Sequence, residues 1–239
     1  EDLRLSGRLC ALKEVLYDRN LPDKVLEQAR EQFFREATVL ARLDHPNLPK
    51  VSDFFFENDR DYLVMDFVPG QDLKEILSNA LRQGHPLAER QVLLWSDQLC
   101  NALDYMHTQD PPVLHRDIKP SNIMIDKGGQ VKIIDFGIAK ATNQRLTEKT
   151  LFTRYAHIIG TPAYMSPEQA QLNDLDIDTR SDIYSLGILL YELLTGTTPF
   201  SEEQLREAGY IEMQRVIREQ DPPKPSTKLS TLGQTLTDI

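Results

Sequence analysis

The sequence predicts an α+β protein in which strands come first and helices follow. Two observations lead to this expectation. Alternating apolar and polar residues, typical of strands, are concentrated in the first third of the chain, and apolar residues at helical spacing dominate the rest. Pro69-Gly70 interrupts the pattern between the two parts, as a hinge would. The segregation indicates two lobes: a small β-rich lobe with one long helix, and a larger, mostly helical lobe.

The first part contains three strand patterns and one helix pattern. The strands are expected at residues 8–17, 51–57 and 62–68. The last two of them are joined by a polar turn at residues 58–61. Residues 22–43 carry the helix, and its buried face is expected to include Phe33, Leu40 and Leu43, with Glu36 as the one charge on that face.

The second part is predicted to be mostly helical. Residues 87–107 form a helix with one apolar stripe: Val92, Trp95, Leu99, Ala102 and Met106. Two short strands at residues 123–125 and 131–134 flank a turn, and residues 181–194 are apolar nearly all round, which predicts a central helix. The Pro- and Thr-rich tail from Asp221 is expected to be extended.

Composition narrows the class of protein. The chain has 239 residues, 40% of them apolar, and a net charge of −10. The apolar fraction excludes intrinsic disorder, and the acidic balance argues against a nucleic-acid partner. Two cysteines far apart in sequence, Cys10 and Cys100, fit a reducing compartment and offer no disulfide framework. We expect no membrane segment and no signal peptide, and a chain that opens without Met is expected to be a piece of a longer protein.

The most informative residues are the run His115–Asn122 (HRDIKPSN) and the triplet Asp135-Phe136-Gly137. They resemble the catalytic loop and the metal-binding triplet of the eukaryotic-type (Hanks-type) Ser/Thr protein kinases. Ala11-Leu12-Lys13 is similar to the family's strand with the ATP-binding lysine, Ser166-Pro167-Glu168 is similar to its Ala-Pro-Glu motif, and Asp182 matches its central-helix aspartate. All of these occur in the family's order. The segment from Tyr164 to Ala170 looks most like the bacterial members.

The resemblance implies roles for four residues around the transferred phosphate. Asp117 would accept the proton of the substrate hydroxyl or orient that hydroxyl. Lys119 would reach the γ-phosphate, and Asn122 and Asp135 would supply oxygen ligands to Mg²⁺. The expected cofactors are therefore ATP and Mg²⁺.

It also implies an ATP-binding set in the first lobe. Lys13 would reach the α- and β-phosphates and form an ion pair with Glu36, while Ala11 leaves room for the adenine. Without that ion pair, burying the charge of Glu36 on the apolar face of the helix would cost free energy. The alternative for Glu36 is an exposed surface glutamate. Cys10, which replaces the usual valine, is either a small buried residue or a reactive thiol.

Residues 62–68 resemble the family's strand that runs into the hinge. Met65 would be the gatekeeper beside the adenine, the Asp66 carbonyl and the Val68 amide would bond to the base, and Met124 would pack beneath it. For Asp72 two roles remain open: a contact to the ribose, or a cap of the helix that follows.

Three features bear on substrate and regulation. Lys119 and Thr161 follow the Ser/Thr-kinase pattern, and the segment around Glu168 implies a peptide-binding groove. Arg116 could bind a phosphate on the activation segment, where Thr147, Thr150 and Thr153 are candidate acceptors. Whether phosphorylation switches the protein stays open.

The resemblance also shows what is missing. Residues 1–66 would form the first lobe without its first strand and Gly-rich loop, and residues 67–239 the second lobe without its last helices. The family's arginine partner of Glu168 is absent, so Glu168 is expected to be either buried and unpaired or exposed. We expect weak activity from this piece alone.

The resulting expectation is a Ser/Thr protein kinase that transfers the γ-phosphate of MgATP to a protein hydroxyl. The alternatives are a pseudokinase that binds nucleotide or acts as a scaffold, and a small-molecule phosphotransferase. The expected location is the cytoplasm, either as a free protein or as the cytoplasmic domain of a membrane-anchored one.

Overall fold

The computed structural model describes residues 7–15, 17, 22–136, 162–171 and 177–230. The chain divides into two compact units that are not continuous in sequence. Unit 1 comprises Glu1–Gln71, Gln98–Arg116 and Ile123–Arg145, and unit 2 comprises Asp72–Asp97, Asp117–Asn122 and Leu146–Ile239. This division differs from the predicted lobes at residues 1–66 and 67–239, so the lobe boundary stays a prediction.

Six strands and seven α-helices lie between residues 10 and 219 of the described chain. The strands are Cys10–Val15 (β1), Val51–Glu57 (β2), Arg60–Asp66 (β3), Gly70–Asp72 (β4), Ile123–Asp126 (β5) and Val131–Ile133 (β6). The helices are Asp23–Leu40 (α1), Leu73–Arg82 (α2), Glu89–His107 (α3), Pro167–Ala170 (α4), Thr179–Thr195 (α5), Glu202–Glu207 (α6) and Gly209–Glu219 (α7). Two 3₁₀ turns, Pro120–Asn122 and Pro162–Tyr164, are also described. Every predicted strand and helix is confirmed, but the extended tail is wrong in part, because residues 225–230 are helical.

The first sheet of unit 1 has the strand order β1-β3-β2, with both pairs antiparallel. The hairpin between β2 and β3 turns at Asn58 and Asp59, whose φ angles of 51° and 59° lie in the left-handed region that Asn and Asp tolerate. In the register, Lys13 faces Leu63 and Val15 faces Asp61. Directly paired residues share a sheet face, so these four side chains lie on one side.

Helix α1 packs on that same face of the sheet. Its buried residues are Ala29, Phe33, Ala37 and Leu40. The ring of Phe34 lies 5.8 Å from that of Phe54 on β2. Phe54 pairs with Leu63 in the register, which places α1 over the face that carries Lys13. The predicted apolar face of this helix is confirmed.

Unit 1 also holds the hairpin of β5 and β6, next to which β4 lies in the strand order β4-β5-β6. Asn47, which follows α1, ties the loop after this helix to the hairpin. Its Nδ2 donates to the Val131 carbonyl at 2.8 Å, and its carbonyl accepts from the Ile133 amide at 2.9 Å. The buried stripe predicted for α3 is confirmed as well, with all five residues at most 5% exposed.

Unit 2 is organised around α5, as the apolar sequence of this helix predicts. Asp178 caps its start by accepting from the Arg180 amide, and Gly196 ends it with a φ of 80°. One buried cluster joins α4, α5, α6 and α7: Tyr164, Ala170, Ile188, Phe200, Leu205, Met213, Val216 and Ile217. In the described part of the chain, no helix has both the length and the apolar character that crossing a bilayer requires.

Candidate active site

Lys13, on β1, contacts Asp135 and Phe136, which belong to the same unit of the chain. Its Nζ forms an ion pair with Asp135 Oδ1 at 3.1 Å and donates to the Phe136 carbonyl at 3.2 Å. Within the described residues Lys13 makes no ion pair with Glu36, so the predicted Lys13–Glu36 pair is wrong for this structure. The Lys13 ammonium group pairs with the Asp135 carboxylate instead of with Glu36.

Glu36 is half-buried on α1 and has other neighbours. Gln32 Nε2 donates to Glu36 Oε1 at 3.1 Å, one helical turn earlier. Burial raises the pKa of the Glu36 carboxyl, while the Gln32 hydrogen bond and the positive charge of Arg116 oppose that rise. The alternative of a freely exposed surface residue does not apply, and the carboxylate lies within electrostatic reach of Arg116.

The backbone around these charges is held in an unusual conformation. Arg116 and Asp135 have φ angles of 65° and 61°, in the left-handed region that costs a non-glycine residue about 1–3 kcal/mol. His115 next to them is fully buried, with its Nε2 2.9 Å from the Ile134 carbonyl oxygen and its ring 5.5 Å from that of Phe136. Left-handed residues of this kind concentrate at functional sites, which supports the choice of Arg116 and Asp135 from the sequence.

Of the predicted hinge residues, Met65 and Asp66 end β3, and Val68 follows it. Met65 is 5% exposed and pairs with Ala11 across the strands. The Asp66 carboxylate accepts from the Lys50 amide at 3.2 Å and forms an ion pair with Arg8, which fixes this end of the strand. Val68 is half-buried. The contacts of these residues with a nucleotide base stay predictions.

Gly70 brings the end of the hinge against β5. A Cβ atom at this position would lie 2.0 Å from the Ile125 carbonyl oxygen and 2.9 Å from the Ile125 carbonyl carbon. Only glycine permits such an approach of two backbones. The neighbour of Ile125 is Met124, the half-buried residue predicted to pack beneath the base.

Three of the predicted site residues lie together in unit 2: the catalytic residues Asp117 and Lys119 and the metal ligand Asn122. Lys119 Nζ forms an ion pair with Asp117 Oδ2 at 2.9 Å. Asn122 Nδ2 donates to the same oxygen at 2.9 Å and to the Asp117 backbone carbonyl at 2.8 Å. The 3₁₀ turn after Lys119 brings Asn122 back to Asp117, since the Asn122 amide donates to the Lys119 carbonyl at 2.9 Å. The loop therefore presents a carboxylate that is oriented by an ammonium group and an amide.

Asn122 and Asp135, the two predicted metal ligands, each offer a side-chain oxygen. Asn122 uses its Nδ2 for both bonds to Asp117, so its Oδ1 is the side-chain atom that it can offer to a cation. Asp135, in unit 1, has a side chain that is 52% exposed and offers a carboxylate. Amide and carboxylate oxygens are the ligands that Mg²⁺ prefers.

Asp72 caps α2, which is one of the two roles expected for it. Its carboxylate accepts from the Glu75 amide at 2.8 Å. The cap uses one carboxylate oxygen, and a ribose contact stays a prediction.

Glu168 has a partner within the described residues, and both expectations for it are wrong. It is half-buried, and the Ser181 hydroxyl at the start of α5 donates to its Oε1. A hydroxyl donor therefore occupies one oxygen of this carboxylate.

Tyr164 attaches the same segment to α5 at a second point. Its hydroxyl donates to Glu192 Oε2, and its carbonyl accepts from Ser185 Oγ at 2.8 Å. The sequence pattern did not identify Ser181, Ser185 and Glu192 as anchors, although their polarity within an apolar helix was the available signal. Thr161 and the candidate phosphosites Thr147, Thr150 and Thr153 lie outside the described residues.

Comparison with known proteins agrees with this geometry. The family model of the protein kinase domain matches residues 3–238. The chain belongs to the protein kinase family. It is 39% identical over 211 residues to a probable serine/threonine-protein kinase of Corynebacterium efficiens, covering 86% of this chain and 29% of that protein.

Other relatives are similarly distant. The serine/threonine-protein kinase pkn3 of Myxococcus xanthus is 36% identical over 245 residues, which cover 96% of this chain and 43% of that kinase. The serine/threonine-protein kinase PrkC of Bacillus subtilis is 37% identical over 198 residues, which cover 80% of this chain and 28% of that kinase. The chain thus spans less than half the length of these relatives.

Proposed function

We propose that this protein kinase domain transfers the γ-phosphate of MgATP to Ser or Thr hydroxyls of a protein substrate. The single observation that supports this most strongly is the catalytic loop: the Asp117 carboxylate is held by Lys119 at 2.9 Å and by Asn122 at 2.9 Å. Phosphoryl transfer needs little covalent help, so an oriented carboxylate beside fixed positive charge is what the reaction requires of the protein.

Each residue of the loop has a defined task in this proposal. Asp117 orients the substrate hydroxyl and accepts its proton as the phosphate bond forms. Lys119 offsets the negative charge that the transferred group carries, and its ion pair with Asp117 keeps the ammonium close to that point. Asn122 keeps the loop closed through its two hydrogen bonds to Asp117.

Lys13, Asn122 and Asp135 would handle the nucleotide. Asn122 Oδ1 and the Asp135 carboxylate would hold Mg²⁺, which neutralises phosphate charge when it is bound. Lys13, now paired with Asp135, supplies the positive charge for the α- and β-phosphates. Its ion pair with Asp135 keeps the ammonium group ordered until phosphates replace the carboxylate.

The substrate class rests on Lys119 and Thr161 and on the relatives, which are named serine/threonine-protein kinases. The attachment of Tyr164 and Glu168 to α5 would support a peptide that binds beside this segment. We place the domain in the cytoplasm, where ATP is available, and expect a protein partner rather than a nucleic acid.

The test compares phosphate incorporation into a generic protein substrate by the intact protein and three variants. Asp117→Asn removes the oriented base, and Lys13→Met removes the phosphate-binding charge. Each should lower kcat/KM by about 10²-fold or more. Lys24→Met is the matched control, because Lys24 is an exposed lysine on α1, and it should keep wild-type turnover. Equal incorporation by wild type, D117N and K13M would refute the kinase assignment and favour a pseudokinase.

A further inference from the structure

A groove lies in unit 1 between the residues that follow β3 and the turn that joins β5 to β6. Its volume is about 330 Å³, near the lower end of the range for ligand-binding sites. Phe67 and Pro69 line one side, Lys127 and Gly128 line the other, and Leu9, which precedes β1, lines it as well. We call it the β3–β5 groove. All of its lining residues belong to unit 1, so its shape depends on that unit alone.

Backbone contacts fix the two sides of the groove to each other. Gly70 lies so close to β5 that a Cβ atom on it would be 2.0 Å from the Ile125 carbonyl oxygen. The turn on the other side is closed by two hydrogen bonds of 2.9 Å, from the Gly129 amide to the Asp126 carbonyl and from the Asp126 amide to the Gln130 carbonyl. The groove is therefore preformed, and a ligand that enters it needs little ordering of the protein.

Exposed apolar side chains line the groove at one end of the first sheet. Leu9 is 56% exposed and Phe67 is 50% exposed, although both are large apolar residues. Cys10 and Asp66 pair in the register, so Leu9 before Cys10 and Phe67 after Asp66 lie at the same end of the sheet. Exposed apolar residues that are surrounded by polar ones mark interaction surfaces. The groove therefore offers a place where an apolar side chain of a ligand can be buried.

The charged side chains of the groove differ in their partners. The Asp66 carboxylate forms an ion pair with Arg8, and Asp126 Oδ1 accepts from two backbone amides of its own turn at 2.8 and 2.9 Å. Lys127 and Lys132 also line the groove, and neither forms an ion pair within the described residues. Lys132 donates to one backbone carbonyl, which leaves two of its three ammonium hydrogens. In a chain with a net charge of −10, this groove thus engages its carboxylates internally and presents two ammonium groups to a ligand.

We propose that the β3–β5 groove binds an acidic peptide segment of a protein partner. An apolar side chain of that segment enters the groove beside Leu9 and Phe67, and flanking carboxylates lie at Lys127 and Lys132. A nucleic acid fits this surface poorly, because two ammonium groups beside two carboxylates do not form the basic patch that a phosphate backbone requires. When the segment belongs to a substrate, its docking raises the local concentration of the acceptor hydroxyl. Only this last step rests on the proposed kinase function.

Fluorescence anisotropy of a labelled peptide tests the groove without any phosphate transfer. The probe is a short peptide with one leucine between two runs of glutamate, titrated with the intact protein at physiological ionic strength. Lys127→Glu should raise its Kd about fivefold, because repulsion replaces the attraction of an exposed charge pair. Leu9→Gln should raise the Kd about threefold or more, because it removes an apolar contact. Lys24→Glu is the matched control: Lys24 is an exposed lysine on α1, and salt screens its distant charge, so the Kd should stay within about twofold of wild type.

Two control probes separate binding in the groove from general charge attraction. The same peptide with glycine in place of leucine should bind about threefold or more weakly. A short single-stranded DNA of equal charge should also bind more weakly than the leucine peptide. Equal binding of either control probe to the wild-type protein would overturn the proposal, and so would equal Kd values for K127E and K24E. If K127E does not fold, the L9Q variant decides in its place, and a wild-type Kd for L9Q then overturns the groove.

Phosphorylation kinetics show what docking does for a substrate. A generic protein substrate is assayed with and without the same acidic segment attached to its end. In the wild-type protein the segment should lower the KM of the substrate about fivefold with little change in kcat, and K127E should lose this advantage. The substrate without the segment should be phosphorylated equally by wild type, K127E and K24E.

The two assays separate failure of the groove from failure of the kinase assignment. An equal KM with and without the segment, in a protein that binds the leucine peptide, would overturn the role of the groove in substrate docking. If the wild-type protein transfers no phosphate, the proposed function fails, and the anisotropy measurements alone then decide whether the groove binds acidic peptides.

Discussion

Replacing Gly70 by alanine should destabilise unit 1, because the backbone of β5 leaves no room for the added methyl group. The new Cβ would lie 2.0 Å from the Ile125 carbonyl oxygen and 3.0 Å from the Asp126 Cα. Real Cβ contacts essentially never fall below 3.0 Å, so the backbone of β5 must retreat by about 1 Å. These atoms belong to a strand that pairs with β6 and cannot rotate away as a side chain would. Overpacking costs about 1–3 kcal/mol, and we expect a value near 3 kcal/mol.

Thermal unfolding measures this cost. For a chain of this size, about 3 kcal/mol lowers Tm by about 6–12 °C. Gly187→Ala is the matched control, because the same Cβ would meet nothing within 4 Å in α5. The Gly187→Ala substitution replaces a glycine in the interior of a helix, which should stabilise the protein by about 0.8–1 kcal/mol. A G70A variant with the wild-type Tm would refute the close approach of Gly70 to β5.

Substitutions at two further residues test the candidate site. Asp72→Ala removes the α2 cap and should cost about 1 kcal/mol in urea unfolding, whereas Asp72→Asn keeps the cap. If Asp72 also binds ribose, D72N raises the KM for ATP despite its normal stability; an unchanged KM leaves the cap as its only role. Burial raises the pKa of Glu36, so the folded state favours its protonated form, and the charge becomes destabilising as pH rises above 4.5. Glu36→Gln should therefore gain Tm over wild type as pH increases from 4.5 to 7, and a gain that shrinks with pH would contradict this.

The fold was predictable wherever burial imposes a period on the sequence. The strand predicted at residues 51–57 is observed as β2 with the same bounds, and the stripe that contains Phe33 and Leu40 yields the buried face of α1. Local composition was a poorer guide where tertiary contacts are few. Pro and Thr indicated an extended tail, but residues 225–230 form a helical turn supported by the bond from the Lys228 amide to the Lys224 carbonyl.

The residue types of the candidate site were predictable, but their partners were not. Motif order identified Lys13, Glu36 and Asp135, and it named Glu36 as the partner of Lys13. The observed partner is Asp135 at 3.1 Å, a tertiary contact between residues 122 positions apart that the order of the motifs does not specify. Similarly, no local pattern relates Glu168 to Ser181, which belongs to a different helix.

Asp61 shows where a strand pattern read from the sequence does not specify burial. The sequence placed Asp61 in the polar turn at residues 58–61, but in the structure it lies on the buried side of β3 beside Leu63 and Met65. A buried carboxylate is costly unless a positive charge or hydrogen-bond donors compensate it. The nearest cation is Arg30, whose Nε lies 3.9 Å from Asp61 Oδ2. Because Arg30 is 31 residues away in the chain and on a helix, this burial depends on a tertiary contact that the local pattern of the strand cannot predict.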